Sequence, residues 1–307
     1  MKKLNVYKTI VCIILFVFSV SCKKHETHVT PIVEQILETK QAIEHYIQQH
    51  PNSTHTRPIF ITFWDFDGTI LKGDCSEGLE EHGKPIYKGL VQVCIEKGYS
   101  AYYKNNEFKK FQDTYIHLDN TKGHRVSYAY LPTIFAGAHR DEILNIATMY
   151  FTQTLARYYF TSSIAILQKL KENNILIYVI SASPEFFVKG ASATIGIPQS
   201  HMYGIEVVTK NGVLTSIVTK PIPYAEGKTH TLKLIIEKLQ NKYNTHHVYA
   251  LAAFGNSYST DGHFLHYIAS QTLPAGKPVS VMINGGHPPI QYANLFTCVH
   301  QDAIIGH

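Results

Sequence analysis

ITFWDFDGTI, residues 61–70, runs β-branched and aromatic side chains straight into two carboxylates, Asp65 and Asp67, and then turns at once through Gly68 and Thr69. An apolar strand that ends in acids packs poorly unless the acids act at its end. Positions i and i+2 of a strand point to the same side, and a glycine after Asp67 permits a sharp turn. Both carboxylates are therefore expected at the carboxyl edge of a sheet, where open α/β folds bind ligands. Two like charges so close raise each other's proton affinity unless a cation stands between them, which points to Mg²⁺, a hard ion suited to carboxylate and phosphate. The competing reading is a cap or turn device without chemistry.

Four apolar runs read as buried strands: IFITFW (59–64), ILIYVI (175–180), VYALAAF (248–254) and VSVMI (279–283). They alternate with helical stretches, among them PEFFVKGASATIG and GKTHTLKLIIEKLQNKY. Val- and Ile-rich strands separated by helices argue for an α/β fold with a mostly parallel sheet covered on both faces. Asn211-Gly212 marks a hairpin within IEVVTKNGVLTSIV. About 110 residues separate the first strand from the second, too many for a structureless connection. LVQVCIEKG, EFKKFQDTYIHLD and a long helical pattern from Asp141 to Glu172 predict an inserted, mainly helical cap over 73–156. The core is then expected over 59–72 and 157–307.

The other strand ends carry polar signals of their own. Ser181 and Ser183 are expected to stand exposed in VISAS before Pro184 starts a helix, with hydroxyls and free amides that suit an anion. Plain helix capping gives the same residues. Lys228 opens a helix, against the preference for acids there, and a single surface lysine would do the same. FGNSYSTDG places Asn256, Ser257 and Asp261 in a turn-rich loop. Each signal is weak alone; their common place at strand ends gives them weight.

In order and spacing, these four pieces resemble the motifs of the haloacid dehalogenase superfamily of phosphotransferases, from about Ile59 to Ile283. The resemblance implies a Rossmann-like three-layer α/β/α core with a C1-type cap after the first strand, and a Mg²⁺-dependent phosphomonoesterase. Thr69 and the second acid resemble the phosphatase branch. The cap and the Asn-Gly hairpin are similar to the phosphoserine and phosphorylcholine phosphatase group. By the same resemblance, Asp65 is the nucleophile that forms an aspartyl-phosphate, and Asp67 the acid that protonates the leaving alcohol and later activates water. Ser181 and Lys228, with Thr69 and Gly68, bind the phosphate, and Asp65, Asp67 (through its main-chain carbonyl), Asp261 and Asn256 hold the metal. Asn256 departs from the pattern: many relatives carry an acid there, so the site is less negative.

The cap bears on the substrate. Asp74 lies nine residues beyond Asp65, with Glu77 close by, where phosphoserine phosphatase relatives meet an ammonium group. An acidic start to the first cap helix is the plainer alternative. GYSAYY (98–103), Phe108, Phe111, Tyr115 and SYAYLPTIF (127–135) supply aromatic rings that either pack the cap or enclose a quaternary ammonium. Phosphocholine, phosphoethanolamine, phosphoserine and a broader acid-phosphatase range are the candidate substrates. A binding lipoprotein that keeps the fold without turnover is the alternative class.

The ends and the composition complete the expectation. MKKLNVYK, the apolar TIVCIILFVF and SVSCKK resemble a bacterial lipoprotein signal over 1–21, with Cys22 as the lipid-bearing residue and 22–58 as a tether and surface helix. The resemblance implies an exported, membrane-attached lipoprotein facing the periplasm or cell exterior; the alternative is a soluble secreted protein whose Cys22 is free. The net charge of +5 among 28 Lys and Arg includes Lys2, Lys3 and Lys8 at the start, and no basic block suggests nucleic acid. Neither HExxH nor CxxC occurs, so a zinc site has no support. The choice among Cys75, Cys94 and Cys298 for any disulfide stays open.

Overall fold

The computed structural model describes residues 29–50, 57–244 and 247–306. The expected signal, Cys22 and the following tether to residue 28 lie outside the described residues. Helix α1 (Val29–Gln49) precedes strand β1 (Ile59–Trp64). Then come a hairpin of β2 (Gly78–Glu81) and β3 (Lys84–Lys88) and helices α2 (Leu90–Glu96), α3 (Phe108–Lys122), α4 (His124–Thr133) and α5 (Arg140–Gln153). The chain returns through α6 (Thr161–Glu172), β4 (Leu176–Pro184), α7 (Glu185–Gly190), α8 (Ser192–Ile195) and β5 (Met202–Ile205). A hairpin of β6 (Val207–Lys210) and β7 (Val213–Val218) leads to α9 (Glu226–Tyr243), β8 (Val248–Gly255), α10 (Gly262–Ala269), β9 (Val279–Ile283) and β10 (Thr297–Val299).

The main sheet has the order β10-β9-β8-β1-β4-β5, and every neighbouring pair is parallel. The chain builds outward from β1 through β4 and β5, then crosses back to build β8, β9 and β10 on the other side. The crevice at the carboxyl ends of β1 and β8 is thus a topological switch point, the usual ligand position in open α/β sheets.

Alternation along β1 explains the two-sided core. Ile61 and Phe63 pack with Leu232, Ile235 and Leu239 of α9 and with Phe264 and Leu265 of α10. Phe60 and Trp64 face the opposite layer, with Ile32, Val33 and Ile36 of α1 and Ile166 of α6. Trp64 stacks on its strand partner Phe254 with ring centroids 3.7 Å apart. Burying a large apolar side chain on each face stabilises the sheet by about 1.5–3 kcal/mol per residue, so β1 is fixed in register where Asp65 begins.

The inserted cap after the first strand is present, with three departures from expectation. Gly78 begins a β-hairpin, not a helix, because His82 and Gly83 adopt φ of 53° and 74° and supply a two-residue turn. The helical pattern from 141 to 172 is broken after Gln153: Tyr159 pairs with Leu71, and the Phe160 amide donates to the Ile70 carbonyl at 2.9 Å. That pairing with the loop after β1 outweighs helix propensity. Finally, the second strand continues to Pro184, so Ser181 and Ser183 are buried rather than exposed. Two short edge strands, β5 and β10, widen the expected sheet. Cys75, Cys94 and Cys298 are all free.

Candidate active site

Asp65 is the first residue after β1, and its amide donates to the Phe254 carbonyl at 2.8 Å, which ties it to the end of β8. Its carboxylate accepts one hydrogen bond on each oxygen. Lys228 Nζ donates to Oδ1 at 2.5 Å and Thr69 Oγ1 donates to Oδ2 at 3.0 Å. Lys228 also donates to Asp261 Oδ1 at 2.6 Å, so one ammonium bridges two acids drawn from the ends of β1 and β8. All three side chains are buried. The other Asp261 oxygen accepts the amides of Asn256 at 2.9 Å and Ser257 at 3.0 Å, closing the loop after β8 around the acid.

Asp67 points elsewhere. Its Oδ2 accepts from Ser183 Oγ at 2.7 Å and Ser181 Oγ at 3.2 Å, and its Oδ1 accepts the Cys75 amide at 2.7 Å. Gly68 turns the chain just after the second acid with φ of 73°, and a Cβ there would fall 1.9 Å from Asn256 Nδ2. Glycine is required for both reasons. The Thr69 carbonyl accepts from Ser163 Oγ at 2.6 Å and Gln301 Nε2 at 3.0 Å, which pins the loop from two distant segments.

Asp65, Asp67 and Asp74 are all pushed toward protonation. Burial, then the neighbouring charge of Asp261, pushes Asp65 up to about 7 despite Lys228. Desolvation, then the charge of Asp74, raises Asp67 to about 7. Asp74 rises to about 7 through desolvation and the charge of Glu77. Burial alone would lower Lys228, but Asp261 and Asp65 hold it above its ordinary value. Three carboxyls pushed toward protonation in one cavity, whose Lys228 is committed to Asp65 and Asp261, leave a shortfall of positive charge.

A divalent cation fits that shortfall. Among the described residues, Asp67, Asp74 and Cys75 form a group whose donor atoms lie within 4.8 Å of one another. Burial, then the charge of Asp67, holds the Cys75 thiol well above its usual range, so it stays protonated and is a poor ligand. The useful donors are oxygens, which suits a hard ion. Of the four residues expected to hold metal, this group contains Asp67 alone; Asp65 and Asp261 instead close on Lys228.

Asp65, Asp67, Asp74, Glu77, Ser181, Lys228 and Asn256 all line one polar cavity of about 330 Å³. Asp261 and Thr69 lie behind it. A second, mainly apolar cavity of about 180 Å³ lies between α1 and the β9–β10 edge and contains none of the sequence-selected residues. Asp74 Oδ1 accepts the amides of Ser76 at 2.6 Å and Glu77 at 2.9 Å, and the Glu77 carboxylate accepts from Tyr115 Oη at 2.6 Å. The expected aromatic enclosure is mostly cap core: Tyr103, Phe111, Tyr115 and Phe135 are buried, and Phe111 stacks on Phe108, Tyr115 and Tyr130. Only Tyr128 among the rings singled out in the sequence lines the cavity. Sequence reasoning missed His124, Ser163 and Gln301. His124 had a signal, since it shares helical spacing with Tyr128 and Leu131, which line the same cavity.

The haloacid dehalogenase-like hydrolase family matches residues 62–261, and the chain belongs to it. That membership supports phosphoric monoester hydrolase activity. A protein of unknown function from Bordetella pertussis Tohama I has a similar fold, with a TM-score of 0.59 and 11% identity over 79% of this chain and 98% of that one. A HAD family hydrolase from Salmonella enterica serovar Typhi aligns at TM-score 0.46 and 15% identity, covering 80% and 69% of the two chains. A substrate-bound phosphoserine phosphatase aligns at 0.42 and 14%, covering 80% and 94%. No curated protein matches the sequence.

Proposed function

We propose that this protein is a Mg²⁺-dependent phosphomonoesterase that works through an aspartyl-phosphate on Asp65. The observation that carries this reading is the buried Lys228 ammonium bridging Asp65 and Asp261 at the mouth of the sheet. A carboxylate nucleophile and a phosphate dianion repel each other, so the reaction needs fixed positive charge where they meet. Asp65 Oδ attacks phosphorus in line with the ester oxygen, the P–O bond to the alcohol breaks, and Asp67 gives the departing oxygen its proton. Asp67, now ionised, takes a proton from water, the water oxygen attacks the phosphorus of the acyl phosphate, and phosphate leaves with Asp65 restored. Ser181 and Lys228 bind the phosphoryl oxygens. A bound Mg²⁺ would supply further charge neutralisation at that centre; Asp65, the Asp67 main-chain carbonyl, Asp261 and Asn256 would hold it only once Lys228 turned from the two acids to the phosphoryl oxygens, whereas the oxygens of Asp67 and Asp74 already lie close together.

The substrate in this reading is a small, amine-bearing phosphoester such as phosphocholine or phosphoethanolamine. Asp74 and Glu77 support it, since both face the cavity and a cationic head group answers their negative charge. With Tyr128 the one ring from the cap aromatics in the wall, the cavity favours a compact ammonium over a caged quaternary one. Export as a lipoprotein anchored through Cys22 belongs to the same proposal and would bring the enzyme to lipid head groups released outside the cell.

The test is hydrolysis of p-nitrophenyl phosphate with Mg²⁺, and phosphoryl labelling of the protein during turnover. Wild-type protein is expected to turn over and to trap label on Asp65, and Asp65→Asn to lose both. Turnover without label would remove the covalent mechanism, and no activity on any phosphoester would remove the enzyme. Equal rates on phosphoethanolamine and ethyl phosphate would remove the amine-binding role.

A further inference from the structure

The phosphate end of the cavity is accounted for by the core, whereas its cap wall contains an imidazole that the proposed reaction does not use. Helix α4 places His124, Tyr128 and Leu131 at i, i+4 and i+7, so one face of it lines the cavity. His124 Nδ1 lies 2.6 Å from Asp119 Oδ1, and a carboxylate accepts, so Nδ1 carries the shared proton. Ser127 Oγ, on a fully buried residue, donates to the same Asp119 oxygen at 2.6 Å. The imidazole also stacks on Tyr128, with centroids 5.6 Å apart and planes 27° from parallel. Tyr128 meets Tyr224 edge-on at 5.7 Å, and Tyr224 lies on the core loop that leads to Lys228. The ring is thus held on one nitrogen by an acid, on one face by an aromatic, and at a cap–core contact beside the phosphate clamp.

A purely structural role does not require this arrangement. The Gly123 amide already closes the turn between α3 and α4 on the Asp119 carbonyl at 2.9 Å, and Ser127 already donates to the Asp119 oxygen that His124 uses. The imidazole side chain itself remains about half exposed. Its Nε2 belongs to the ring that lines the cavity and is not engaged by Asp119. When Nδ1 carries the proton, Nε2 offers a lone pair to a hydroxyl, and when the ring is protonated it donates to one. A hydroxyl satisfies either state, which neither a methyl nor an ammonium group does.

We infer that His124, oriented by Asp119, is a specificity-determining residue that recognises a hydroxyl group on the leaving alcohol. This inference rests on the phosphatase reading of the same cavity and narrows it: phosphocholine and phosphoethanolamine offer no such hydroxyl, so the alcohol recognised here carries a hydroxyl in addition to any amine met by Asp74 and Glu77. Discrimination by a group built to hydrogen-bond a substrate hydroxyl appears when the analogue lacks that hydroxyl.

Glycerol 3-phosphate and propyl phosphate form such a pair, with p-nitrophenyl phosphate as a substrate that offers no aliphatic hydroxyl. Wild-type protein is expected to favour glycerol 3-phosphate over propyl phosphate. His124→Ala is expected to lower kcat/KM on glycerol 3-phosphate by roughly tenfold, while the other two substrates change by less than about twofold. Asp119→Ala is expected to reproduce part of the selective loss, and His124→Asn, which keeps a polar side chain, to restore part of it. Thermal melting of each variant separates loss of fold from loss of recognition. Equal loss on all three substrates in well-folded variants, or no loss on any, overturns the inference and leaves the phosphatase reading in place. Failure of wild-type protein to hydrolyse any phosphoester removes both together.

Discussion

Ser183 Oγ donates a hydrogen bond to Asp67 Oδ2 at 2.7 Å, and this contact fixes the direction of the second acid. Without it, the Asp67 oxygen would keep the longer bond from Ser181 at 3.2 Å and a weak one from the Cys75 thiol at 3.7 Å. A hydrogen bond to a charged group contributes about 1.5–3 kcal/mol. If Asp67 must be aimed at the departing oxygen, Ser183→Ala loses a share of that energy in the transition state. The expected result is a fall in kcat of roughly tenfold or more with KM little changed. Steady-state kinetics on p-nitrophenyl phosphate measure it, and an unchanged kcat would show that Asp67 needs no such support.

The bridge from Lys228 to Asp65 and Asp261 predicts a stability effect as large as any catalytic one. Lys228 is 1% exposed and its ammonium is the shared partner of two buried carboxylates. Lys228→Met removes the cation and leaves the two acids facing each other, which costs about 3–5 kcal/mol for a broken buried pair. Urea unfolding is the measurement. The double variant Lys228→Met with Asp261→Asn should recover part of the loss, because it removes one of the stranded charges. Additive losses would mean that the two side chains are not coupled.

The parts of the site that were legible in the sequence share one property: each sits at the end of a strongly apolar strand or at the first turn of a helix. Asp65, Ser181, Lys228 and Asn256 could be aligned with one sheet edge because runs such as VYALAAF announce where a buried strand stops. β5 and β10 were not legible because MYGI and TCV are too short to set a period, and their edge positions leave them partly solvated. The β2–β3 hairpin hid behind His82-Gly83, which is not one of the Asn-Gly or Asp-Gly pairs that signal a two-residue turn. Contacts between Thr69, Ser163 and Gln301 span 94 and 232 residues and follow no repeat, so only the folded chain reveals them. The same holds for the group of Asp67, Asp74 and Cys75, which depends on how a turn closes, not on residue spacing.

Gln301 offers a test of that long-range support. Its Nε2 reaches both the Thr69 carbonyl and Ser163 Oγ at 3.0 Å, so the carboxy-terminal segment braces the loop that carries Asp65 and Asp67. Gln301→Ala deletes a donor to a buried carbonyl, a change worth about 1–3 kcal/mol. Ser163 still bonds that carbonyl at 2.6 Å, so the lower end of the range is expected in the single variant. The double variant with Ser163→Ala leaves the carbonyl with neither partner and should lose more than the sum of the two. Melting temperatures of the three proteins decide the point.

His201 gives the fold a pH response remote from the catalytic cavity. The ring stacks on Tyr178 with centroids 4.2 Å apart, at the foot of β4, and its Nδ1 lies 3.2 Å from the Ile177 carbonyl. Burial lowers its pKa below the ordinary 6.5, and the cations of Lys242 and Lys238 add to the effect, while the Ile177 carbonyl opposes it. The unfolded chain therefore takes up the proton more readily than the folded one. The contribution of His201 to stability is complete above about pH 6.5 and declines as pH falls through 6.5 toward the lowered folded value. Below that value both states are protonated and the loss is complete. His201→Gln keeps a donor for the carbonyl but cannot titrate, so it should lose less stability than wild type between pH 7.5 and pH 5, on the order of a few tenths to 1 kcal/mol less. Urea unfolding of both proteins at the two pH values checks the difference, and parallel losses would mean that the ring is as easily protonated in the folded chain as in the unfolded one.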